Sequence, residues 1–161
     1  MLIDDENTLA ELQQDKFFFK LPLDFFPDED WKPYPNNPDY FISTYGRVYS
    51  IKRKTLLTAD RYRNYWKFEL SQDGKRSKVN AARLVAITYL DMPDDDKHHA
   101  HHINGKRYDN RLCNISPPTA AQHLLIHKLY KEADTEQRKA EITQAVIYGG
   151  YGGETTAMNS N

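Results

Sequence analysis

From Trp31 onward the apolar positions fall in short runs dense in aromatic and β-branched residues. YFISTY, then Gly46, then RVYSI read as two strands broken by a turn. A third strand is expected at YWKFEL. The segment Gln72 to Lys75 contains the pair Asp73-Gly74, a strong hairpin signal that returns the chain into a short strand around Ser77 to Val79. Together these predict one small antiparallel sheet. The pattern then changes: AARLVAITYL places Leu84, Val85, Ile87, Tyr89 and Leu90 as the apolar face of a short buried helix that ends before Pro93. The acidic stretch DMPDDDK separates this region from the last third of the chain.

That last third predicts the order strand, loop, strand, helix. AHHI is a strand end, NGKRYDNRLCN a loop opened by an Asn-Gly turn, and NIS a second strand. TAAQHLLIHKLYKEA is a helix with Thr119 as its N-cap. Pro117 and Pro118 cannot donate ladder hydrogen bonds, so the second strand must be short or at an edge. A further helix is expected around Glu136 to Tyr148, and the Gly- and Asn-rich end is expected to be flexible. Ahead of Trp31, FFFKLPLDFFPDED sets five Phe among Pro and acids. Its aromatics predict a segment that docks on the body or on a protein partner, with its acids exposed. The reading is therefore α+β, in four parts: residues 1–30 an acidic, Phe-rich extension, 31–93 a basic β-rich module with its helix, 94–131 the strand-loop-strand-helix motif, and 132–161 a helix and tail.

Composition narrows the function. The chain has 161 residues and a mean hydropathy of -0.81, yet 2 Trp, 11 Tyr and 7 Phe supply a core. No apolar run approaches the roughly 18 residues of a membrane span, and the acidic start is unlike a secretion signal, so no membrane partner is expected. A lone cysteine, Cys113, excludes an internal disulfide and a multi-Cys zinc site, and fits a reducing cytoplasm. The net charge of -1 is a cancellation: residues 1–30 hold nine acids and two bases, residues 31–161 hold 14 acids and 20 bases. Residues 46–83 alone carry eleven Lys or Arg against three acids, interleaved with Tyr49, Tyr62, Tyr65 and Trp66. This is the footprint of a phosphate-backbone surface, though a solvated basic face has the same composition.

All six histidines (His98, His99, His101, His102, His123, His127) lie within thirty residues. His123 and His127, four apart on the expected helix, project from one face within reach of one metal ion. Such a pair is common surface decoration by itself; with His101-His102 and Asn114 upstream it becomes an ordered set.

Those residues carry a resemblance. HHINGKRYDNRLCNISPPTAAQH is similar to the HNH nuclease motif, of the ββα-metal fold, in the version found in phage homing endonucleases. WKPYPNNPDYFISTYGRVYSIK resembles the DNA-binding module that precedes that motif, with Trp31, Tyr40, Ser43, Gly46, Arg47, Val48 and Ser50 at the recurring places. KVNAARLVAITYL resembles the family's linking helix. The resemblance covers roughly residues 31–127 and implies a metal-dependent endonuclease acting on double-stranded DNA, by default nicking one strand, in the host cytoplasm if phage-encoded. It implies that His102 is the general base, that Asn114 braces the loop, and that His101, His123 and His127 hold one divalent metal ion. Many relatives carry Asp where His101 stands, and three imidazoles favour Zn²⁺, Ni²⁺, Co²⁺ or Mn²⁺ over Mg²⁺, so the ion is left open among Mg²⁺, Mn²⁺ and Zn²⁺. Asn110 is expected to support the loop, and His98 and His99 are expected to be exposed and not ligands. Arg47, Lys52, Arg53, Lys54, Arg61, Arg63, Lys75, Arg76 and Lys78 are expected to contact DNA, with base reading sought at the turns near Gly46 and Gly74. The alternative reading is a DNA-binding or accessory protein that keeps the fold as a structural metal unit without cleavage.

Overall fold

The computed structural model describes residues 28–149, so most of the Phe-rich extension and the Gly-rich end lie outside the described residues. Strands β1 (Trp31–Pro33), β2 (Tyr40–Ser43), β3 (Val48–Ser50) and β4 (Thr55–Leu56) form an antiparallel sheet in chain order. Strands β5 (Asp60–Tyr62), β6 (Tyr65–Gln72) and β7 (Lys75–Asn80) form a second. Helix α1 (Ala81–Tyr89) follows, then β8 (His101–His102), a 3-10 turn (Leu112–Asn114) and β9 (Ile115–Ser116). Helices α2 (Ala120–Tyr130) and α3 (Glu136–Ile147) complete the described chain. The architecture is α+β, as the sequence predicts.

Two sheets stand where the sequence pattern predicts one. After β4, Leu57 donates its N–H to Val48 O at 2.8 Å, and Leu57 and Ala59 then turn inward against the core. That turn pulls the chain off the sheet edge and starts a new ladder. Strands β1, β4 and β5 have two or three residues each, too few to show a period, which is why the sequence pattern passes over them. All four residues of β2 are buried because the sheet is covered on both faces. Tyr40 and Ile42 enter the main core, and Phe41 packs with Trp31 and Tyr49 on the other side.

The main core joins the two larger sheets, α1 and β9. Ile42 and Val48 from the first sheet, Phe68 and Leu70 from the second, Leu84 and Val85 of α1, and Ile115 of β9 lie in one cluster with Met92. Tyr89 locks α1 to β2 by donating its hydroxyl to Ile42 O at 2.8 Å. The acidic stretch after α1 does not act as a separator. Arg83 on α1 binds Asp94 Oδ1 (2.7 and 3.0 Å), Asp95 O (2.7 Å) and His98 O (3.2 Å), clamping that stretch to the helix.

Near the start of the described chain, Glu29 is buried, where the acids of the extension are expected to be exposed. It pairs through both carboxylate oxygens with Arg47, whose guanidinium lies 5.8 Å from the Trp31 ring centre.

Candidate metal and nuclease centre

Helix α2 begins at a complete capping box: Thr119 Oγ1 accepts from Gln122 N (3.3 Å), and Gln122 Oε1 accepts from Thr119 N (2.9 Å). This fixes the helical phase, so that His123 and His127 share a face and their Nε2 atoms lie 3.0 Å apart. Strand β8 brings His101 to the same point, its ring centre 5.0 Å from that of His123 and 5.3 Å from that of His127. One ligand nitrogen from each ring falls within 4.8 Å of the others. Two nitrogens each about 2.0–2.1 Å from a tetrahedral cation stand about 3.3–3.4 Å apart; the 3.0 Å between the His123 and His127 Nε2 atoms is close to that, and the His101 nitrogen, within 4.8 Å, would draw in to bind the same ion. The chemistry fits as well. Burial and neighbouring imidazoles push His101 down to about 3 and His123 to about 4, and burial lowers His127, so all three rings are neutral donors at pH 7.

Behind His101 stands a polar junction reaching α3. Tyr130 Oη lies 3.1 Å from His101 Nε2, donates to Ile103 O at 2.8 Å, and meets the buried Thr143 Oγ1 at 2.5 Å. The third helix therefore props the His101 ring.

His102 points the other way along β8 and is buried. Its Nε2 lies 2.9 Å from Asn110 Oδ1, and Asn110 Nδ2 is turned toward Tyr108 O at 3.4 Å. An amide oxygen only accepts, so Nε2 carries the proton and Nδ1 keeps its lone pair. Burial lowers the His102 pKa, which favours this neutral form. Asn110 thus orients the ring itself, a closer role than the loop support expected of it. Asn114 braces the loop: its Oδ1 accepts from Asn104 N at 2.9 Å and its Nδ2 donates to Asp109 O at 2.8 Å.

The N-terminal module reaches this loop directly. Leu112 N donates to Thr44 O at 2.7 Å, and a Cβ on Gly46, whose φ is +77°, would stand 2.6 Å from Asn110 Cβ. Gly46 is buried, so the turn expected to read bases is packed beneath Asn110 instead. The Gly74 turn has open space around it and remains available.

Arg107 escapes sequence reasoning because it sits inside a basic loop with nothing to single it out. Its guanidinium lies 4.8 Å from the Tyr65 ring centre, and the Tyr65 ring stands 6.3 Å from that of His102. Arg107 makes no ion pair among the described residues, and its charge helps to lower both His102 and His127. Tyr65, Arg83, His99, His102 and His123 line a cleft of about 220 Å³. His98 and His99 are half-buried, not exposed as expected. The His98 ring pairs with Asp95 (2.9 Å), and His99 lies against His123.

Of the basic residues singled out from sequence, Lys52, Arg76 and Lys78 make exposed pairs with Asp39, Glu69 and Asp60. Such exposed pairs are weak and open readily to a phosphate. Arg53, Lys54, Arg61, Arg63 and Lys75 make no ion pair among the described residues, and Arg63 sits at the β5–β6 hairpin tip with φ +48°. Arg47 is the exception, held by buried Glu29. Arg47→Ala is expected to cost about 3 kcal/mol in urea denaturation by stranding that carboxylate. It should leave the slope of log affinity against log salt unchanged; a slope reduced by about one would return Arg47 to the phosphate-contacting set.

Two short antiparallel strands, the loop they enclose and a helix form a ββα unit in which imidazoles of strand and helix converge on one point. Residues 29–75 match the NUMOD4 motif. Two uncharacterized HNH endonucleases of Acanthamoeba polyphaga mimivirus are 32% and 28% identical over 79 and 96 residues, covering 48% and 59% of this chain. The H-N-H endonuclease F-TflII of Escherichia phage T5 is 30% identical over 97 residues, or 59% of this chain. The chain spans 20%, 29% and 50% of the length of these three relatives. Among solved structures, the HNH homing endonuclease I-HmuI matches with a TM-score of 0.56 and 22% identity, over 67% of this chain and 63% of that one. The chain is thus similar to HNH endonucleases over about half to three fifths of its length, carries the NUMOD4 motif ahead of that region, and shares the fold of the HNH homing endonuclease I-HmuI. Among the described residues no helix is long and apolar enough to cross a membrane.

Proposed function

We propose that this chain is a metal-dependent DNA endonuclease that nicks one strand of double-stranded DNA, leaving 5′-phosphate and 3′-hydroxyl ends. The observation that carries the reading is the division of labour on β8. His101 faces the His123 and His127 pair, while the adjacent His102 turns away with a free Nδ1 and a bonded Nε2. A structural metal unit has no use for a base so prepared.

His102 Nδ1 takes the proton from the attacking water, and the Nε2–H bond to Asn110 holds the ring through the step. Arg107, free of any ion pair among the described residues and close to the base and His127, receives the negative charge that builds on the phosphate oxygens. His101, His123 and His127 would hold the divalent ion, which when bound would supply Lewis-acid stabilisation of the charge developing on the phosphate and its leaving oxygen. By ligand softness Zn²⁺ and Mn²⁺ fit better than Mg²⁺. Affinity comes from the second sheet and its hairpin tips, where Arg61, Arg63, Lys75, Arg76 and Lys78 contact phosphates, joined by Lys52, Arg53 and Lys54.

Nicking of supercoiled plasmid with EDTA, Mg²⁺, Mn²⁺ or Zn²⁺ tests the reading. Metal-dependent conversion to open circles supports it, and retained DNA binding without cleavage in any metal refutes it. The centre should also declare itself in stability: Zn²⁺ at about one hundred times its Kd adds about 2.7 kcal/mol. The Tm is expected to rise by roughly 10 °C and to fall back on adding EDTA, by differential scanning fluorimetry. His123→Ala should abolish that rise.

A further inference from the structure

His99 has no counterpart in the resemblance, yet its Nδ1 lies 2.9 Å from Nδ1 of His123, with the two rings edge to face at 86° and centres 5.1 Å apart. The contact is on the far edge of the His123 ring from Nε2, which faces His127 at 3.0 Å. A hydrogen bond between two imidazole nitrogens needs one proton. If His123 gives its Nε2 lone pair to a cation, its Nδ1 must carry that proton, and His99 Nδ1 is placed to accept it.

The placement is built, not incidental. His99 N donates to Pro118 O (2.9 Å), Ala120 N donates to Lys97 O (2.7 Å), and His98 bridges to Thr119, so the segment is stitched along the start of α2. Arg83 holds the same segment from α1 through His98 O. The two adjacent histidines are divided by this anchoring: the His98 ring goes to Asp95, the His99 ring to His123.

We propose that His99 is a positioning residue of the metal centre, which fixes the His123 ring and its Nδ1–H tautomer so that Nε2 is presented to the ion. This rests on the reading of His101, His123 and His127 as the ligands, and it makes His99 an acceptor behind the centre and not a fourth ligand. His99 also lies outside the trio whose ligand atoms converge within 4.8 Å.

Wild type, His99→Ala and His99→Gln would be titrated with Zn²⁺ against a competing chelator, and with Co²⁺ by visible absorption, after circular dichroism shows each variant folded. Alanine is expected to weaken Zn²⁺ affinity about 10- to 100-fold. Glutamine, whose Oε1 accepts the same bond, should recover most of that loss. The Co²⁺ bands should keep their position and intensity in all three proteins. In nitrogen-15 spectra of the Zn²⁺ complex, the His123 Nδ1 should be the protonated nitrogen in wild type and in the Gln variant. Equal affinities in all three proteins overturn the proposal, as does a Co²⁺ spectrum that loses a ligand in the Ala variant. Wild type that binds neither ion fails earlier, by removing the ligand trio itself and the inference with it.

Discussion

His102→Ala is expected to yield a folded protein that binds metal and DNA as before and cleaves about 10²–10⁴-fold more slowly. The proposed base is the one imidazole of the motif whose proton position is dictated by an amide oxygen, and its removal leaves the His101, His123 and His127 trio untouched. Single-turnover nicking with saturating Mn²⁺, paired with DNA affinity at one salt concentration, measures it. Cleavage within threefold of wild type would remove His102 from the reaction. A parallel loss of metal binding would mean that the two neighbours on β8 share a role instead of dividing it.

Gly46→Ala is expected to slow cleavage about 10²-fold while Zn²⁺ affinity stays unchanged. Its methyl would fall 2.6 Å from Asn110 Cβ, and the positive φ adds about 1–2 kcal/mol of strain. The loop must then move, carrying the Asn110 oxygen away from His102 Nε2, and a displacement near 1 Å at a catalytic group costs about 10²-fold. Asn110 variants separate this route from general destabilisation. Asn110→Asp keeps the acceptor and should retain more activity than Asn110→Ala, at equal Zn²⁺ affinity in both. Equal activity for the two would show that the amide oxygen does not set the ring.

Much of the centre is legible from residue order alone, because its elements are local. An N-cap at Thr119 with Gln122 three residues on predicts where α2 starts, and the start fixes which way His123 and His127 face. The Asn104-Gly105 turn and the two prolines after Ser116 likewise bound the short strands β8 and β9. Contacts between distant segments are not legible. Gly46 lies 64 positions before Asn110, and nothing in YGRV announces that its turn will be buried under a loop of the motif. The charge of Arg47 reads as phosphate-binding until Glu29 is seen beside it, since a sequence displays charges without their partners. His99 is hard to single out among its neighbouring histidines, and only the stitching of Lys97 and His99 to Pro118 and Ala120 turns its ring to His123.

On the proposed reading the N-terminal module and the ββα unit invite treatment as interchangeable parts, a recognition cassette joined to a cutting cassette. The common core argues otherwise for this chain. Ile115 of the ββα unit shares one cluster with Ile42, Phe68 and Val85, and Thr44 of the first sheet accepts from Leu112 beside the Asn110 loop. A hybrid spliced at residue 93 would bring two halves whose buried surfaces were shaped for other partners. Retargeting by cassette exchange would therefore require the donor's recognition half to carry over the residues that meet Asn110, Leu112 and Ile115. Changing side chains at the two open hairpin tips, Arg63 and Gly74, would leave that seam intact.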